Sequence, residues 1–161
     1  MRRAGFEVYL PLRREMHTWS DRKKWVDVPL LTSYIFAKIE PTQETAIRNV
    51  QGISHIVKFK GELAFIPEEE IQAMKDFLAA EVAIQVRETE LLHNGVRVMI
   101  KEGALAGHKG MLISDFEDGN FVVHISGISM SMVMTIDADL LEPLPEEEQE
   151  SEDRQKEYYI R

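Results

Sequence analysis

The five histidines of this 161-residue chain, His17, His55, His93, His108 and His124, show no metal-ligand spacing, such as two one helical turn apart. The chain has no cysteine, which excludes disulfide scaffolds, thiolate chemistry and zinc-ribbon sites and fits a reducing compartment. Glutamates cluster at 68–70 and 146–148, but the first group reads as a helix start and the second as a polar tail. Neither suggests the burial that tunes a carboxyl group for acid–base work. No nucleophile-elbow or phosphate-loop pattern appears. These residues imply no catalysis, no metal and no cofactor. What remains is binding chemistry of two kinds. Arg13, Arg14, Arg22, Lys23 and Lys24 are interleaved with Trp19 and Trp25, cations that neutralise phosphates beside indoles that stack on unpaired bases. Tyr34 and Phe36 are of the aromatic type that supplies interface hot spots. Each has a bland alternative: a solvated basic loop with two partly buried tryptophans, and a strand that faces its own core.

Charge narrows where such binding occurs. The net charge of −9 hides a gradient. Residues 1–60 hold eleven Lys/Arg against six Asp/Glu, residues 61–141 five against fourteen, and residues 142–161 three against eight. Fields fall off over roughly 8–10 Å in physiological salt, so only the first third carries a footprint for nucleic acid. No apolar stretch approaches the ~20 residues of a membrane span. No apolar core follows Met1-Arg2-Arg3, so no secretory signal is read and a cytoplasmic protein is expected.

The elements that would position these residues are legible from pattern. Phe6, Val8 and Leu10 alternate with Glu7 and Tyr9 in a short strand stopped by Pro11. Residues 13–28 read as a basic hairpin turning near Ser20-Asp21. Tyr34–Ile39 is the strongest strand signal, a helix fits Gln43–Asn49, and Ile53–Phe59 reads as another strand before a turn at Lys60-Gly61-Glu62. Pro67 with Glu68, Glu69 and Glu70 starts a helix that reaches about Ala80, its apolar stripe being Ile71, Met74, Phe77 and Leu78. From Gly95 five short strands broken by glycines follow, Val96–Ile100, Met111–Ser114, Phe121–Ile125, Met132–Ile136 and Leu140–Leu141. They suggest a small barrel.

Two motifs carry a family resemblance. The stretch Gly95 to Leu112 looks like a KOW motif, in which Gly103, Gly107 and Gly110 give the turn positive φ and Leu105 is the apolar anchor. Val96 and Ala104 depart from the frequent acidic residue and proline. Pro29-Leu30-Leu31-Thr32-Ser33-Tyr34-Ile35-Phe36 resembles the strand entry of the NusG N-terminal domain. Gly52-Ile53-Ser54-His55-Ile56-Val57-Lys58-Phe59 resembles the matching strand of its RfaH-type specialised paralogues. The resemblance covers roughly residues 5–143, and it is most similar to RfaH/UpxY-type antiterminators.

That resemblance implies an α+β protein. A truncated ferredoxin-like N-terminal domain over residues 1–81 would be followed by a linker at 82–94. A five-stranded SH3-like KOW β-barrel would span 95–144, its turn marked by Gly95, Gly103, Gly107 and Gly110, with an acidic disordered tail at 145–161. It implies antitermination: Leu31, Tyr34, Phe36, Ile56 and Phe59 would dock on the clamp helices of RNA polymerase and keep transcription processive, on an operon set such as surface polysaccharide genes. The basic hairpin would track the displaced non-template single-stranded DNA. Only Thr45 conserves a polar contact to the polymerase gate loop within Gln43-Glu44-Thr45. Ser126-Gly127-Ile128 replaces the Phe-Gly-Arg segment that recruits a ribosomal protein, so that contact is not carried over and the barrel's partner is open. The family's first strand and most of its first helix have no counterpart before Gly5. The exposed edge and apolar face this would leave predict weakened folding or repair by dimerisation. The competing expectation is a KOW-containing ribosome- or RNA-associated protein, but such proteins are usually basic throughout, and the segment from Gly95 is acidic.

Overall fold

The computed structural model describes residues 5–59, 61–88, 95–113, 120–125, 128 and 130–145. The chain divides into two compact units, Met1–Leu78 with Ser126–Ile128, and Ala79–Ile125 with Ser129–Arg161.

The first unit carries strands β1 (Glu7–Tyr9), β2 (Leu12–Thr18), β3 (Lys23–Pro29), β4 (Phe36–Lys38), β5 (Lys58–Phe59) and β6 (Glu62–Leu63), with helices α1 (Glu44–Arg48) and α2 (Glu68–Ala79). The described strands form three antiparallel ribbons, β1–β4, β2–β3 and β5–β6, consistent with the expected α+β class. Pro11 breaks the path between β1 and β2; it has no N–H to give, and its carbonyl accepts from the Leu30 N–H at 2.9 Å. The hairpin turns where expected, closed by the Trp19 N–H on the Arg22 carbonyl at 2.8 Å. The aromatic strand is shorter than its β-propensity suggests. Ser33 is left-handed at φ 70°, and the Tyr34 N–H folds back to the Leu31 carbonyl, so pairing begins only at Phe36. Likewise the predicted strand Ile53–Phe59 pairs only at Lys58–Phe59, followed by a left-handed Gly61.

Helix α2 holds this unit together. Its first turn is Glu68, Glu69 and Glu70 at the positive end of the helix dipole, and the Pro67 carbonyl accepts from Glu70 and Ile71. Met74 and Phe77 are fully buried and Ala73 nearly so, while Ile71 and Leu78 of the expected stripe are only half-buried. Each fully buried large apolar side chain is worth roughly 1.5–3 kcal/mol, so this turn of the helix dominates the unit's core with Leu30, Leu31 and Ile47.

An acidic clip joins α1 to the β5–β6 ribbon. The Glu44 carboxylate pairs with Arg48 one turn on and accepts from Lys58 Nζ at 2.8 Å. The Lys58 hydrogen bond, opposed in part by desolvation and helped by the charges of Lys58 and Arg48, holds the Glu44 carboxyl below its ordinary pKa of 4.5. Because the folded value is depressed, the clip stabilises fully above about 4.5 and is lost as pH falls through the lowered folded value. The difference in urea midpoint between the wild type and Glu44→Gln should therefore be largest at pH 7 and shrink toward pH 3; a constant difference would remove the clip.

The second unit is a six-stranded antiparallel sheet in the order β12–β8–β9–β10–β11–β7. Its strands are β7 (Ile84–Glu88), β8 (Val96–Ile100), β9 (Lys109–Ile113), β10 (Asn120–Ile125), β11 (Met130–Thr135) and β12 (Leu141–Pro143). Five of these match the expected strands to within a few residues. The sixth corrects the expected linker: Ile84–Glu88 pairs with Met130–Met134 as an edge strand, and Ile84 is buried. The rest of that stretch, 89–94, lies outside the described residues, as do residues 1–4 of the helix remnant and 146–161 of the expected tail. Phe121, Met132 and Met134 are buried on one face of the sheet, and Val122, Val133 and Ile113 cluster on the other. Ser131, fully buried among them, has its hydroxyl 2.7 Å from the His124 imidazole across the ladder, which satisfies a polar group that would otherwise be costly.

Candidate functional site

Besides Leu10, Leu12, Met16, Trp19 and Trp25 at the hairpin, apolar side chains of the first unit reach the surface at two places. In the first, Tyr9 and Phe36 face each other across β1–β4 and their rings stack at 6.3 Å with 28° between planes. Lys75 Nζ lies 5.4 Å from the Tyr9 ring centroid, and burial pushes the Tyr9 hydroxyl above its ordinary pKa. Tyr34 and Phe36 are half-buried, and their neighbour Ile35 is 38% exposed. Since the strand starts at Phe36, the period-two rule that placed Tyr34 and Phe36 on one face does not extend to Tyr34.

The second place is the β5–β6 ribbon. The Ala64 N–H donates to the Val57 carbonyl at 3.0 Å, continuing the ladder beyond Lys58↔Leu63. Ile56 is half-buried, whereas Phe65 at 62% is the most exposed large apolar side chain among the described residues. Sequence reading missed Phe65 and Tyr9: a single aromatic in a loop has no periodicity, and Tyr9 sat between apolar neighbours as if it faced outward.

One of the expected contact residues lies in the core. Leu31 is only 2% exposed; it belongs to the core beneath the turn that carries Tyr34 and cannot meet a partner directly. Phe59 supplies backbone to β5, and its side chain lies outside what is described. The expected gate-loop stretch is engaged internally. The Gln43 side chain accepts from the Glu40 N–H and Glu44 is held in the acidic clip, leaving Thr45 exposed.

The hairpin sorts its cations by face. Residues directly paired across β2–β3 share a face, which separates Arg14, Met16, Lys23 and Trp25 from Arg13, Glu15, His17 and Lys24. The second set packs partly inward: Arg13, Glu15, Val26 and Val28 are half-buried, and Arg13 lies 2.5 Å from the Glu15 carboxylate. Arg22, in the turn, lies 3.9 Å from Asp21. The five cations therefore do not form one uniform patch.

In the second unit the glycines divide by mechanism. Gly103 and Gly107 take φ of 89° and 87°, and the Gly107 N–H returns to the Ile100 carbonyl at 2.7 Å, with Leu105 buried under the loop. Gly95 and Gly110 are different. A Cβ on Gly110 would sit 2.6 Å from the Phe121 ring and 2.7 Å from the Val122 carbonyl, and one on Gly95 would meet Met111 and the Leu112 carbonyl. Gly110 was expected to allow positive φ; it instead allows close packing. Of the ribosome-contact segment, Ser126 and Gly127 lie outside the described residues. Among the described residues no group of three or more His, Asp or Glu converges as a metal site would require, and no helix is long and apolar enough to cross a membrane.

Comparison with known proteins gives one family match. Residues 1–75, nearly all of the first unit, match the family model described as transcription termination factor nusG. The match supports the NusG family, whose members are non-enzymatic factors of transcription elongation and termination that bind RNA polymerase. No curated protein matches the chain.

Proposed function

We propose, from the NusG match over residues 1–75, that the chain is an elongation and antitermination factor whose first unit docks on the clamp helices of RNA polymerase. The single observation that carries this reading is apolar side chains left in water by the matched unit: Phe65 at 62% and Ile35 at 38%, beside half-buried Ile56, Tyr34 and Phe36. Aromatic and aliphatic groups held on a rigid scaffold are what a partner's helices can desolvate, and such groups dominate interface energies. The second unit is read as a KOW barrel, from the Gly103–Gly107 loop and Leu105 anchor, with a partner other than the ribosomal protein bound through Phe-Gly-Arg. A restricted operon set such as surface polysaccharide genes is the reading that the resemblance to RfaH/UpxY-type paralogues favours.

Immobilised clamp helices should capture the full chain, and adding the chain should raise read-through of a terminator by purified polymerase. Absence of capture at micromolar concentrations would overturn the docking reading.

A further inference from the structure

We infer that the outward face of the β2–β3 ribbon is a self-association surface, covered by the same face of a second copy of this chain. Every residue of that face is exposed, including Leu12 at 42%, Met16 at 45% and Trp25 at 53%. Among the described residues the ribbon pairs with no third strand. Three cross-strand rungs set its pattern: Leu12 with Pro29, Arg14 with Asp27, and Met16 with Trp25. An ionic rung therefore lies between two apolar ones. Arg14 and Asp27 are directly opposed, yet they form no ion pair. The Arg14 guanidinium turns over the Trp25 ring instead, 5.9 Å from its centroid. The Asp27 carboxylate has no ion-pair or hydrogen-bond partner among the described residues.

Charge complementarity selects the occupant. A partner of one sign would be repelled by Arg14 or by Asp27, so a polyanion suits this rung poorly. A second copy suits it by symmetry. Half a turn about an axis parallel to the strands lays β2 of one copy over β3 of the other, the way packed sheets stack about 10 Å apart with strands nearly aligned. Each residue then meets the counterpart of its own cross-strand neighbour. Arg14 of each copy faces Asp27 of the other, so one operation pairs all four charges. Met16 meets Trp25 as a sulfur–aromatic contact, and Leu12 meets Pro29. The remaining charge on the face, Lys23, sits at the turn end and meets an uncharged Thr18. Strands of seven residues at roughly 3.4 Å each make a ribbon about 24 Å long. Two such faces bury less than the ~1,200 Å² of a standard interface, so the dimer is reversible, with a Kd on the order of 100 µM. This goes beyond docking on polymerase and does not rest on it, since no side chain proposed for docking lies on this ribbon.

Sedimentation equilibrium of the full chain between about 10 µM and 1 mM should show monomer and dimer in exchange. Trp25→Ala should weaken the dimer by at least about 30-fold, because symmetry removes two central rings at once. Arg14→Asp makes the ionic rung wholly acidic, and Asp27→Arg makes it wholly basic. Either variant alone should weaken self-association by roughly 10- to 30-fold. Mixed in equal amounts, the two should recover the wild-type affinity as a heterodimer, since each supplies the charge that the other lacks. A folding defect in either variant would not be repaired by mixing. A chain that stays monomeric to roughly 1 mM would overturn the assignment. So would a mixture no tighter than its components, or a dimer indifferent to Trp25→Ala, which would move the contact to another surface such as an open strand edge.

Discussion

Replacing Tyr34 and Phe65 together by alanine is expected to weaken capture of the polymerase clamp helices by at least about 30-fold while leaving the folded unit intact. A buried aromatic anchor at an interface typically contributes 2 kcal/mol or more, and 2 kcal/mol corresponds to about 30-fold in affinity. The choice of pair follows from burial. Phe65 makes little of the unit's own core at 62% exposure, and Tyr34 is half-buried. Phe36 is the wrong residue to test alone because it stacks on Tyr9, and its removal would loosen the β1–β4 ribbon as well as the surface. The urea midpoint of the double variant, followed by tryptophan emission, should stay close to that of the wild type. Unchanged capture by a folded double variant would remove these two residues from the contact surface. Lost capture together with a collapsed midpoint would show that their role is structural.

Gly110→Ala should destabilise the second unit by about 3 kcal/mol, a large part of the 5–15 kcal/mol that holds an ordinary domain together. The added methyl would stand 2.6 Å from the fully buried Phe121 ring and 2.7 Å from the Val122 carbonyl. The ring is fully buried, and the carbonyl belongs to a strand paired on both sides. By contrast Gly103→Asn should cost less than ~1 kcal/mol, since nothing lies within 4 Å and asparagine tolerates the left-handed region. Amide exchange in β9 and β10 measures both. Equal protection in the two variants would contradict this division of the glycines into packing and turning roles.

Sequence reading captured the elements whose pattern is local. The hairpin was legible because alternating side chains flank Ser20-Asp21, and α2 because proline and three glutamates mark its start. It failed where the deciding fact is conformational or long-range. The left-handed Ser33 shortened the aromatic strand, and no propensity for serine announces that. Ile84–Glu88 was read as linker because only Ile84 and Val86 of its five residues are apolar; its partner strand lies more than forty residues away. Leu31 sits inside a motif associated with a contact surface, yet motif position does not distinguish a surface residue from the one that supports it. Glycines are alike on the page, whether they turn the chain or admit a neighbour. For the candidate site, the residue types in the hairpin were visible, but their sorting by face required the register Met16↔Trp25.

The pairing pattern of the second unit also has a kinetic meaning. Strands β8 to β11 each neighbour the next in sequence, so they assemble by closing short loops, the quickest kind of ordering a chain undergoes. The two flanking strands, β7 and β12, are joined to their partners across more than forty residues and meet a template already formed. The central meander can therefore condense first, and the outermost strand that comes first in sequence is among the last to settle.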